Sequence, residues 1–101
     1  MADTTTPATA APDALAWRAA LRDRIYDEIE TERLRQDAQW GGPAHDDGHP
    51  PNVWRHLLFN FSKQLLRPRS FKPAPDYRQR LIKIAALAVA AAEVWDRKVP
   101  R

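Results

Sequence analysis

Leu21, Ile25 and Ile29 recur every fourth residue within a run of arginines and acids, and Trp17 and Tyr26 broaden the apolar face they make. This spacing predicts one long amphipathic helix, capped by Asp13 behind Pro12 and running to about Gln39. At the helical turn of 100° per residue, Glu32 falls on the same stripe. A carboxylate in that position is costly unless an arginine, a metal ion or a set of hydrogen-bond donors meets it. Gly41-Gly42-Pro43 is expected to end the helix. An irregular loop then carries His45, Asp46, Asp47 and His49 and is stiffened by Pro50-Pro51.

A second helix is predicted from Val53 to about Arg67, with Asn52 as its cap and Trp54, Leu57, Leu58, Phe61 and Leu65 as its buried stripe. Phe59 and Leu66 fall off that stripe, which points to a second covered surface and hence to an oligomer. Residues 68–75 are basic and punctuated by proline, so they read as a linker. Asp76 with Gln79 forms a capping-box pattern at the start of a third helix. From Leu81 to Trp95 only Lys83 and Glu93 are ionisable, and apolar residues occupy nearly every direction, as a central helix requires. No strand pattern and no repeat is present. The expected fold is all-α: a small bundle of three main helices in a single domain, residues 13–101, behind a disordered tail, residues 1–12, and completed by oligomerisation.

Composition narrows the setting. A chain of 101 residues holds one domain with a modest core. The absence of cysteine removes disulfides, thiolate metal sites and cysteine nucleophiles. The first residues have neither the basic nor the apolar region of a signal peptide, and the longest apolar run, 84–92, is about half of what a bilayer span needs. A cytoplasmic protein without a membrane segment is therefore expected. Charge divides the chain: nine acids face five arginines between Asp13 and Asp47, whereas eight bases face one acid between Val53 and Lys83. Such a division suits a bound cation on one side and phosphates on the other.

The chemistry-bearing candidates are mostly acids. Glu93 and Asp96 form an E-x-x-D pair on one face of the third helix. Together with Glu28, Glu32, Asp46 and Asp47 they can form an oxygen-rich site for Mg²⁺ or Mn²⁺. His45, His49 and one aspartate are the alternative, a zinc-type set. Ser62 and Ser70 lack a nucleophile context, and no glycine-rich phosphate loop is present. Phe71 between Arg69 and Lys72 keeps nucleic-acid binding open.

The pattern formed by Glu32, Arg33, Arg35, Gln36, Trp40, His45, Asp46, Asp47 and His49, closed by the segment from Tyr77 to Arg97, resembles a group of short phage and prophage proteins over about two thirds of the chain. More distantly, it is similar to the all-α, MazG-like nucleotide pyrophosphohydrolases. Their E-E-x-x-E and E-x-x-D motifs bind Mg²⁺ and cleave nucleoside triphosphates. Glu93 and Asp96 match the second motif; Asp27, Glu28 and Glu32 stand near the first with different spacing. The resemblance implies a nucleotide or another phosphate-bearing small molecule as ligand. Glu32 and Glu93 would be catalytic, Arg78 and Lys83 the phosphate contacts, and Trp40 the wall against the base. The alternative is a non-catalytic binding or interaction module.

Overall fold

Among the described residues of the computed structural model there are four helices: α1 (Pro7–Trp40), α2 (Gly42–Asp46), α3 (Pro51–Lys63) and α4 (Tyr77–Lys98). The structure describes the backbone of residues 7–99 and the side chains of residues 13–99. Among these residues there is no sheet, only an isolated bridge between Leu66 and Pro73, so the all-α expectation is met. Among the described residues no helix is long and apolar enough to cross a membrane.

α1 begins at Pro7, six residues before the Asp13 cap expected from the sequence; residues 1–6 lie outside the described residues. It ends where Gly41 takes a φ of 108°, a left-handed conformation that glycine adopts without a steric penalty. The chain does not then stay irregular. Pro43 sits in the first turn of α2, where its missing N–H is no loss, and the short helix carries His45 and Asp46. α3 starts at Pro51 and not behind an Asn52 cap, and it stops at Lys63, short of the expected Arg67. The following loop folds back on itself instead. Ala74 N–H donates to the Leu65 carbonyl at 2.8 Å, and Arg67 N–H donates to that of Lys72 at 2.9 Å. The capping box at α4 does not form either, because the Asp76 carboxylate accepts from Arg80 one turn on.

α4 lies in the middle. It packs against α1, α2 and α3, whereas α1 and α3 do not meet. Ile82, Ala86, Ala90 and Val94 recur every four residues as its buried ridge, and Ala86 is fully covered. The alanines let the neighbouring helices approach closely. Trp54 of α3 packs on Ala90 and Val94, with Leu57, Leu87 and Ala91 around them. The result is a thin arrangement, 23 Å in its shortest dimension.

Much of α1 contributes nothing to this core. From Asp13 to Asp27 every side chain is exposed except Ala19, which is half-buried. Leu21 and Ile25, expected on the buried stripe, are 37% and 39% exposed. Phe59 and Leu66 are exposed as well, and the Lys63 ammonium lies 5.2 Å from the Phe59 ring centre.

Candidate functional site

Because α1 and α3 stand apart on α4, a groove of about 450 Å³ opens between them. α4 supplies its floor through Lys83, Leu87 and Ala90. One wall comes from the last turns of α1 and from α2, and the other from Trp54, Leu57 and Phe61 of α3. Its volume falls within the usual range for small-molecule sites.

Four aromatic rings run across one end. Trp40 and His45 are stacked with centres 6.2 Å apart and planes 24° from parallel. His45 meets His49 edge-on at 4.7 Å, and His49 meets Trp54 edge-on at 5.3 Å. The short α2 helix makes this row possible, since it turns His45 back towards Trp40. The Trp54 indole N–H is buried without an acceptor among the described residues. An orphaned donor of this kind costs about 1–3 kcal/mol.

Glu32 explains its own place on the apolar stripe. It is 5% exposed, and the Arg35 guanidinium donates to both of its oxygens, Nε to Oε1 at 3.0 Å and Nη2 to Oε2 at 2.6 Å. Gln36 adds a third bond at 3.1 Å. These hydrogen bonds, Arg35 foremost, outweigh burial and hold the carboxyl below its ordinary value of 4.5; the positive charge of Lys83 acts in the same direction. The required partner is thus an arginine three residues on in the same helix.

The remaining acids expected to share a metal are dispersed in the same manner. Glu28 takes a two-pronged contact from Arg78, both bonds 2.7 Å. Glu93 is held by Arg33 at 2.9 and 2.6 Å. Asp47 accepts from Arg97 at 3.0 and 2.7 Å, and Asp96 is also engaged. Lys83, whose charge reaches Glu32, stands ten residues before Glu93 on α4, roughly 15 Å along its axis. Among the described residues no three His, Asp or Glu side chains are grouped to hold a metal ion. The residues therefore do not fit the Mg²⁺ site expected of Glu28, Glu32, Asp46, Asp47, Glu93 and Asp96, nor the zinc set of His45, His49 and an aspartate. The physical reason is local: arginines on α1 and α4 reach Glu28, Glu32, Asp47 and Glu93, and charge-assisted guanidinium contacts satisfy them.

The groove brings together Trp40, His45, Asp46, His49 and Lys83 of the residues selected from sequence; Arg78 points to Glu28 instead. Asp46 is half-buried, and burial, reinforced by the nearby Asp37 charge, pushes its carboxyl above its ordinary value of 3.8. Lys83 forms no hydrogen bond or ion pair among the described residues, so its charge is available to the groove. Sequence reasoning missed Trp54 and Leu57 as groove walls, because helical spacing marks a residue as inward-facing without saying whether the inside is filled. Comparison with known proteins finds no matching family model, curated protein or solved structure.

Proposed function

We propose that the protein is a non-catalytic binding module whose groove takes a nucleotide, with the base against the aromatic row and the phosphates at Lys83. The observation that carries this reading is the lining of the groove. Trp40 and His45 stack in it, His49 and Trp54 continue the row edge-on, and Lys83 lies on its floor. Lys83 and Ala90 are seven residues apart on the floor, about 10 Å, the scale of a nucleoside with its first phosphates. Stacking tolerates any base, while Asp37 and Asp46 offer acceptors for exocyclic amino groups.

A metal-dependent hydrolase is less well supported, because α3 has no carboxylate and Glu28, Glu32 and Glu93 are each bonded to an arginine. Calorimetric titration with nucleoside mono-, di- and triphosphates tests the binding reading. Saturable binding that weakens at least tenfold (about 1.4 kcal/mol) in Lys83→Met is expected. Binding that is indifferent to Lys83→Met and to Trp40→Ala would remove it.

A further inference from the structure

The face of α4 turned away from the groove is apolar and uncovered. Tyr77, Leu81, Ala88, Ala92, Trp95 and Val99 run along it, and all six are exposed, Trp95 by 57%. At 100° per residue they fall in a sector roughly 60° wide, inside a stretch of helix surface roughly 160° wide that carries no Asp, Glu, Lys or Arg. Ala88 is diametrically opposite the midpoint of the buried ridge. A solvated helix face normally carries charge, and the rims here do, with Arg78 and Asp96 on one side and Arg80 and Lys98 on the other.

We infer that this face is the contact surface for a second copy of the chain, with the two α4 helices antiparallel and crossing at Ala88. The pattern of sizes selects the occupant. Small residues, Ala88 and Ala92, occupy the centre and bulky ones the ends, so antiparallel helices meeting at Ala88 approach closely there. In that register Leu81 stands opposite the partner's Trp95, and Tyr77 opposite the partner's Val99. Tyr77 and Leu81 thereby reach the apolar groove of about 480 Å³ that Trp95 and Val99 form with Leu58 of α3. Antiparallel pairing also sets opposite ends of the two helix dipoles together. A parallel pair would instead oppose Trp95 to the partner's Trp95.

The area suffices. The exposed parts of this row offer roughly 500 Å² per protomer, so the pair buries about 1,000 Å², the level at which specific interfaces begin.

Sedimentation velocity on the full chain reads the mass directly. The dimer gives twice 11.6 kDa, and Ala88→Glu, a change at an exposed position, returns 11.6 kDa with helical circular dichroism unchanged. The register is read by Ala88→Cys, the sole cysteine in the chain, which forms a disulfide-linked dimer under mild oxidation while Phe59→Cys, on the outer face of α3, does not. A wild-type chain that stays monomeric at high micromolar concentration overturns the inference. So does a dimer that survives Ala88→Glu and fails to cross-link through position 88.

Discussion

On one side of α4, Ile82, Ala86, Ala90 and Val94 are covered by the neighbouring helices, and at Ala90 this side borders a groove lined by aromatic rings and Lys83. On the other side, Tyr77, Leu81, Ala88 and Trp95 are equally apolar and face solvent. The same helix thus has two apolar sides with different endings. Where α1 and α3 bring polar groups to the edge, the gap suits a small anionic ligand. Where no described element supplies a polar group, the surface suits only another apolar surface. Apolar character by itself does not separate core from interface; the neighbouring elements decide.

The strongest way to break this contrast is to place a charge on each side. Ala86→Glu buries an unpaired carboxylate on the covered ridge and is expected to cost at least about 3 kcal/mol, enough to unfold a marginal domain. Ala88→Glu, two residues on, should leave the fold intact. Chemical denaturation followed by circular dichroism compares the two, and equal losses would erase the distinction between the faces.

Glu32→Gln comes next. It removes the charge that Arg35 and Gln36 converge on, and a loss of about 1–3 kcal/mol is expected at pH 7. The sign with pH follows from the lowered carboxyl. The folded state holds the charged form more firmly than the unfolded chain, so this contribution is present above 4.5 and is lost as pH falls through the folded value. Stability of Glu32→Gln should therefore fall less than that of the wild type between pH 5 and pH 3, roughly the window in which such carboxylates titrate.

Asp46→Asn is the smallest change and has the opposite sign. Its carboxyl is raised, so the folded state binds the proton more tightly and stability falls as pH rises above 3.8 through the folded value. At pH 7 the asparagine variant should gain some tenths of a kcal/mol, read as a small rise in thermal midpoint. A loss at neutral pH would mean that Asp46 is held by a partner favouring its charge.

Much of the fold is legible in residue spacing, and much of the site is not. The helices are announced by their stripes, and the central place of α4 by the scarcity of charge from Leu81 to Trp95. The endings were harder. Asn52 and Asp76 carry cap chemistry that the structure does not use, because Pro50-Pro51 starts α3 by its backbone angles and Arg80 captures Asp76. The place of Glu32 on an apolar stripe correctly announced a partner, but spacing alone did not choose between a metal and Arg35. The groove was hidden for a related reason. It exists because α1 and α3 fail to meet, which is a property of packing angles and not of any one stripe.

Binding without turnover in the groove has two parts, and one experiment measures both. Tryptophan fluorescence and pyrophosphate release are followed together as nucleoside triphosphates and Mg²⁺ are added to the wild type. A saturable change in fluorescence from Trp40 and Trp54, diminished in Lys83→Met, is expected, with no pyrophosphate formed. Pyrophosphate released at a steady rate, and abolished by Glu32→Gln or Glu93→Gln in a folded chain, would contradict it.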